Sequence, residues 1–294
     1  MPGAHAIGQH FCDDSDIYFS VAVCGNDYGS CMQAILFDLD GVFYVGEQLV
    51  AGALDVLAWC RQKQIPYLFV TNTTSRPTQS IVQKLSSFGI ETEPAKIMSP
   101  PVATINWLKQ QGIQRVSLYM GEQTQSMFSQ FQLVTAENEP AEAVIIGDMG
   151  DAWTYPNLNR AFRQLMQSPP PRLIALGMTR YWRAPDGLRL DAGAIVSALQ
   201  YASGLVPIVL GKPAREFFLT AVQQLGVRPD QVVMVGDDIR SDIGGAQQAG
   251  MRGVLVRTGK FREQDLNAEI RPDAVIDSVA TLPQWWTENR LHGC

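Results

Sequence analysis

Apolar residues along this chain come in short unbroken runs, separated by longer stretches with helical spacing. Residues 34–37 form one run and end at Asp38; residues 67–70 form another and end at Thr71-Asn72. Between them, residues 53–63 set Leu54, Leu57 and Ala58 at helical intervals. After them, residues 78–88 place Ile81, Val82, Leu85 and Phe88 on one face. Runs without the alternation of a half-buried strand predict strands covered on both faces, and the strand–helix rhythm predicts parallel βαβ units. The rhythm returns late, with strands at 208–210, 232–235 and 253–256. Between these strands lie a helix over 215–225, with Phe217, Phe218, Ala221, Val222 and Leu225 inward, and a helix over 243–249 stopped by Gly250.

The intervening block has its own pattern. It reads as helix 103–111, strand 116–120, helix 124–131, strand 143–146 and helix 158–166, then a Pro169-Pro170-Pro171 break and strand 173–176. The expected fold is therefore α/β: a Rossmann-like, doubly wound parallel sheet interrupted by an inserted α/β subdomain, with ligands at the mouth between them. The expected divisions are an extension over 1–31, a first core segment over 32–96, the insert over 97–204 and a second core segment over 205–294.

Composition narrows the chemistry. With 294 residues, 46% hydrophobic and 18% charged, the chain is long enough for a substantial core and globular in character. Its 23 Lys+Arg against 29 Asp+Glu leave a net charge of −6, so no nucleic-acid partner is expected. No stretch approaches the ~18 apolar residues of a membrane span, and no membrane partner is expected either. Only three histidines occur, His5, His10 and His292. A Ser-His-Asp or Cys-His pair, or a histidine-rich zinc site, is thus excluded from the body. Five cysteines make no disulfide framework, and a cytoplasmic, reducing setting is expected. Residues 1–31 hold four Asp and no Lys or Arg, unlike a secretory signal. Met32 is a candidate start with an upstream extension before it; a poorly ordered tail is the alternative. A metal role for His5, His10 and Cys12 is possible by residue type only.

Polar residues directly after the apolar runs carry the candidate chemistry. They are Asp38-Leu39-Asp40-Gly41, Thr71-Asn72, Gly211-Lys212-Pro213 and Gly236-Asp237-Asp238, with Asp242 beyond. Several carboxylates at one sheet edge require a cation, and hard oxygen ligands point to Mg²⁺. A cation and a lysine among carboxylates make a place for a phosphate dianion. Asp38 is a competent nucleophile toward phosphorus, and Asp40, two residues on, a competent acid and base. The Thr71 hydroxyl and the Lys212 ammonium supply positioning and charge neutralisation. No histidine is needed.

These four segments, in this order, resemble the motifs of the haloacid dehalogenase superfamily. An insert between the second and third is similar to the branch with a large α/β cap, which includes 4-nitrophenyl-phosphatase-like and phosphoglycolate phosphatases. Residues 154–159, 176–182, 238–247 and 256–262 carry the closer likeness, and the resemblance covers about 34–285. It implies a Mg²⁺-dependent phosphatase acting on a small phosphomonoester, phosphoramidate or pyrophosphate through an aspartyl-phosphate. It implies Asp38 as nucleophile and Asp40 as general acid and base. Thr71, Asn72 and Lys212 would hold phosphoryl oxygens, and Gly41 would allow close backbone approach. Mg²⁺ would be held by Asp38, the Asp40 main-chain carbonyl and Asp237. Asp242 or Asp238 would orient Lys212 or metal-bound water from behind. Arg180, in the turn Arg180-Tyr181-Trp182, is a candidate substrate contact, with surface packing as the alternative. Pairing of two copies through the cap is a family-level expectation. A phosphomutase or dehalogenase on the same core, or a phosphorylation-sensing module, are the rival readings. The rivals are disfavoured by the second aspartate and by the length of the insert.

Overall fold

The computed structural model describes residues 31–184 and 186–290. Residues 1–30 of the extension expected over 1–31, and with them His5, His10 and Cys12, lie outside them. The chain opens with β1 (Ala34–Asp38), a tight hairpin of β2 (Tyr44–Val45) and β3 (Gln48–Leu49), then α1 (Ala53–Gln62), β4 (Tyr67–Val70), α2 (Thr78–Ser87) and β5 (Ile97–Met98). The middle block follows with α3 (Pro100–Gln110), β6 (Arg115–Tyr119), α4 (Glu122–Gln125), β7 (Gln132–Leu133), β8 (Ala143–Ile146), α5 (Tyr155–Leu165) and β9 (Arg172–Ala175). A hairpin of β10 (Tyr181–Ala184) and β11 (Gly187–Leu190), then α6 (Ala192–Ser203) and β12 (Ile208–Val209), complete it. The chain ends with α7 (Arg215–Leu225), β13 (Val232–Gly236), α8 (Gly245–Gln248), β14 (Arg252–Val256), β15 (Ala274–Ile276) and α9 (Leu282–Arg290).

Six of these strands form one parallel sheet in the order β15-β14-β13-β1-β4-β5. Successive residues of β1 feed opposite faces: Ala34 and Leu36 join one apolar cluster, Ile35 and Phe37 another. That division explains the unbroken apolar runs, because both faces are covered by helices. From β1 the chain first builds outward through β4 and β5, and later returns to build the other side through β13. The crevice at the carboxyl ends of β1 and β13 is thus the point where the winding reverses, the expected ligand position in such sheets.

The second sheet, in the order β12-β9-β8-β6-β7, is also parallel and forms the inserted cap. Strand pairing sets the crossings a few residues later than the divisions expected at 97 and 205. β5 pairs with β4 in the first sheet, and β12 pairs with β9 in the second. Two-residue strands carry too little pattern to assign to a sheet from their own residues. Core and cap share one apolar cluster, in which Leu108 and Val116 are continuous with Leu36 and Phe217. No helix among the described residues is long and apolar enough to cross a membrane.

Several local expectations change. On α1 the buried face is Ala53, Val56, Leu57 and Cys60, while Leu54 and Ala58 are exposed, so the stripe is displaced by one position. The helix expected over 124–131 is a single α-turn followed by a 3₁₀ turn over Ser126–Phe128. The helix expected to start at 243 begins earlier, as a wide π-type turn over Ile239–Gly244. The hairpins, α6, β15 and α9 add elements that the periodicity did not reveal. Cys60 is a free, buried thiol whose pKa burial pushes up to about 12, in keeping with a packing role. Cys31 is disulfide-bonded. Trp286 is buried edge-on to Trp59 at 6.0 Å, tying α9 onto α1.

Under β1, Phe37 meets Phe43, Tyr67 and Phe69 with ring centroids 5.2, 5.9 and 6.5 Å apart. Edge-to-face aromatic contacts add to simple burial. Phe37→Ala is expected to cost about 3–5 kcal/mol, measured by urea unfolding. A loss under about 1 kcal/mol would show that this cluster does not anchor β1.

Candidate active site

Four strand ends and one loop converge at the reversal point. Asp38 is the last residue of β1, opposite Val70 in register, so Thr71 and Asn72 leave β4 beside it. Asp237 and Asp238 follow β13, and Lys212 comes from the turn after β12. Together with Asp40, Thr73, Ser241, Asp242 and Lys260, these residues except Asp237 line a cavity of about 220 Å³. Asp237 lies beneath it, only 1% exposed.

Lys212 is the hub. Its Nζ donates to Asp38 Oδ1 and to Asp242 Oδ1, each at 2.7 Å, and all three side chains are buried. Burial alone would lower the ammonium pKa, but the carboxylates of Asp242 and Asp38 outweigh it and hold the pKa above the usual lysine value. The Asp38 carboxyl is raised, mainly by burial and further by Asp237, with Lys212 opposing. Asp242 is pushed up to about 6 by burial and Asp38, again against Lys212. Burial also raises Asp237 to about 6, although it accepts from the Lys260 backbone N–H at 2.7 Å.

Three buried carboxylates therefore share one ammonium. One oxygen from each of Asp38, Asp237 and Asp242 lies within 4.8 Å of the others, and Asp237 Oδ1 is buried with no hydrogen-bond partner. Surplus negative charge plus an open, buried oxygen acceptor is the donor set of a hard divalent cation. Of the residues expected to hold the cation, the Asp38 and Asp237 carboxylates lie in this cluster, with Asp242 as its third member. Asp242 has both oxygens engaged, Oδ1 by Lys212 and Oδ2 by the Asp238 backbone N–H at 3.1 Å.

Other expected residues take different parts. Asn72 spends its amide on the Lys212 backbone, accepting from Lys212 N at 2.8 Å and donating to Lys212 O at 3.0 Å. It holds the lysine-bearing turn and keeps one N–H donor on the cavity wall. Asp238 caps the turn below, accepting from Arg240 N and Ser241 N at 3.0 and 2.9 Å, and does not touch Lys212. The back-side partner of Lys212 is Asp242. Gly41 has φ +87° and faces Asp237, where a Cβ would collide with the carboxylate. The close approach it permits is to Asp237. The Thr71 hydroxyl lies 3.0 Å from the Thr73 hydroxyl. Asp40 alone of the first-strand acids is exposed.

Arg180 is not brought into this cavity; it is exposed, with its guanidinium 5.7 Å from the centre of its neighbour Tyr181. The segment Thr258-Gly259-Lys260 is the part that residue-type reasoning missed. The Thr258 hydroxyl donates to the Gly41 carbonyl, Gly259 packs against Gly41 and Asp237, and the Lys260 side chain lines the cavity. Its signal was available: another polar segment directly after an apolar run.

Two family models match the chain, one described as haloacid dehalogenase-like hydrolase over residues 35–133 and one as HAD-hydrolase-like over 209–282. The rat phospholysine phosphohistidine inorganic pyrophosphate phosphatase is 37% identical over 256 residues, covering 85% of this chain and 93% of that protein. The bovine haloacid dehalogenase-like hydrolase domain-containing protein 2 is 37% identical over 234 residues, covering 80% and 87%. Among solved structures, the 4-nitrophenylphosphatase of Thermotoga maritima superposes with a TM-score of 0.75 at 28% identity, covering 86% of this chain and 97% of that one.

The raised Asp237 carboxyl has a consequence for the cation-free protein. Its folded pKa of about 6 exceeds the usual carboxylate value, so the folded state holds the proton more tightly than the unfolded chain. The associated stability is present at low pH and lost as pH rises through about 6. In EDTA, Asp237→Asn is therefore expected to raise the melting temperature at pH 7.5, through a gain in stability of no more than about 3 kcal/mol, and to gain only about a third as much at pH 4.5. Thermal unfolding at both pH values checks this; an equal effect at both would contradict it.

Proposed function

The chain belongs to the haloacid dehalogenase-like hydrolase family and is a phosphohydrolase, and from that premise we propose that it releases phosphate from small phosphorylated substrates through a covalent intermediate on Asp38. The observation that carries this reading is the buried contact of Asp38 with the Lys212 ammonium at 2.7 Å, with the exposed carboxylate of Asp40 on the same cavity. An Asp38 oxygen attacks phosphorus while the bond to the leaving group breaks, and Asp40 gives its proton to the departing oxygen. Asp40, now a carboxylate, takes a proton from a water that attacks the same phosphorus. The bond to Asp38 breaks, orthophosphate leaves, and both aspartates return to their starting states.

The rest of the cavity serves charge and position. Lys212 faces the charge of the transferring group, and Asp242 and Asn72 keep its head and its backbone in place. Thr71 presents a hydroxyl at the cavity wall, and Lys260 a second ammonium. Mg²⁺ fits the donor set and would be held by Asp38, the Asp40 carbonyl and Asp237. Bound there, it neutralises charge on the phosphoryl oxygens that three carboxylates would otherwise repel. The names of the relatives supply a substrate range: phospholysine, phosphohistidine, inorganic pyrophosphate and 4-nitrophenyl phosphate. The cap meets the loop beside the cavity, where Thr124 donates to the Thr74 carbonyl at 3.0 Å, in keeping with small molecules of this kind.

Asp38→Asn is expected to lower phosphate release from 4-nitrophenyl phosphate by roughly a thousandfold or more while leaving the unfolding midpoint near that of the parent. Retained activity would remove Asp38 as nucleophile. EDTA is expected to stop turnover and added Mg²⁺ to restore it; turnover indifferent to chelation would remove the cation from this account.

A further inference from the structure

A second cavity of about 380 Å³ adjoins the carboxylate pocket and shares Asp40, Thr71, Asn72 and Thr73 with it. Its far wall carries Arg76 and Lys84, with the Ser80 and Tyr44 side chains between them. Among the described residues neither cation forms an ion pair, whereas Lys212 and Lys260 on the carboxylate pocket each do. Lys84 is held in place by aromatic faces instead. Its Nζ lies 4.3 Å from the centre of Tyr44, which stacks on Phe88 at 4.9 Å. That contact fixes the ammonium without neutralising it. The loop bearing Arg76 is pinned as well: the cap residue Thr124 donates to the Thr74 carbonyl at 3.0 Å, and Thr73 N donates to the Thr71 hydroxyl at 3.2 Å.

Among the described residues Asp40 is the only acid lining this cavity, and it lines the carboxylate pocket as well. Two uncompensated cations and several hydroxyl donors therefore face the space that a leaving group would enter. A neutral leaving group has no use for them. A leaving group that bears its own negative charge would meet Arg76 and Lys84 while its scissile phosphorus sits at Asp38, and charge-assisted hydrogen bonds of this kind are strong and selective. We propose that this cavity is a second anion subsite and that the chain favours substrates carrying a further phosphate or carboxylate next to the scissile phosphate. This rests on the phosphatase reading and adds the substrate class to it.

The test compares kcat/KM for inorganic pyrophosphate and for phosphoglycolate with that for 4-nitrophenyl phosphate, all with Mg²⁺. The parent enzyme is set beside Arg76→Gln, Lys84→Gln and Arg76→Lys. Each Gln variant is expected to lower the ratio of anionic to nitrophenyl substrate by at least roughly tenfold, chiefly through KM, and Arg76→Lys to recover part of it. A loss on both anionic probes marks a general anion subsite, and a loss on one alone identifies whether phosphate or carboxylate is the group it takes. Ratios unchanged in both Gln variants, or all three substrates falling together, would overturn the subsite. Hydrolysis of 4-nitrophenyl phosphate with neither anionic substrate turned over would also overturn it, yet leave the phosphatase reading standing. Failure on every substrate would remove both.

Discussion

Lys212 sits with its ammonium between Asp38 and Asp242, 2.7 Å from each, with almost no access to water. A buried ammonium costs several kcal/mol unless its charge is matched and its donors used. Much of the surrounding architecture answers to that requirement. Asp38 arrives from β1, Asp242 from the π-type turn after β13, and Asn72 from the end of β4, clasping the lysine backbone from both sides. Removing Asn72 leaves the N–H and carbonyl of the lysine backbone unpaired, and removing either carboxylate side chain takes one of the ammonium's two acceptors while the other still matches its charge. The lysine thus ties the two halves of the split sheet together a second time, just beyond the carboxyl ends of the paired strands β1 and β13.

Matching the lysine is not the same as balancing the site. Asp237 is brought in as a third buried carboxylate, and the chain goes to some length to do it. Gly41 and Gly259 lie against its carboxylate from both sides, in backbone conformations that favour glycine, and neither has room for a Cβ. The Lys260 N–H satisfies one oxygen and the other is left without a partner. Packing so tight around an acid that destabilises the cation-free fold is hard to explain as structure alone. It is the arrangement expected where a cation completes the charge balance, and where holding the carboxylate rigidly matters more than stability without it.

Much of this was readable before any coordinates, because apolar runs in a parallel sheet stop where the strand leaves the core. The next residue is polar and faces the crevice. That is why Asp38, Thr71, Lys212 and Asp237 could be picked from the chain, and why Thr258-Gly259-Lys260 could have been added by the same reasoning. What the pattern could not resolve was which polar neighbour points where. Asp238 and Asp242 are alike as sequence, and either could cap a following helix. The wide turn over Ile239–Gly244 decides it, exposing the first as the cap and carrying the second inward to the lysine. Asn72 was equally ambiguous, since an amide suits a phosphoryl oxygen and a backbone turn equally well. Leu54 misled for another reason: a helical stripe can be read one position off, and only packing against α9 and the sheet selects Val56 and Cys60 over it.

The four aspartates also divide by exposure, and the division follows the chemistry asked of each. Asp38, Asp237 and Asp242 are buried against a lysine, a backbone N–H or one another, where their charges are fixed by neighbours and water is scarce. Such groups suit attack on phosphorus and the holding of a cation, because neither task requires exchange of protons with solvent. Asp40, two residues from Asp38 on the same strand end, stands exposed on the cavity wall and borders both cavities. A group that must give up a proton and then recover one needs that access. A two-residue spacing out of a strand end achieves both environments at once: the strand's last side chain stays in the core, and the second one along emerges into the mouth. With histidine absent from the body of the chain, this difference in burial between chemically identical side chains is what would let aspartate alone cover both roles in the proposed reaction.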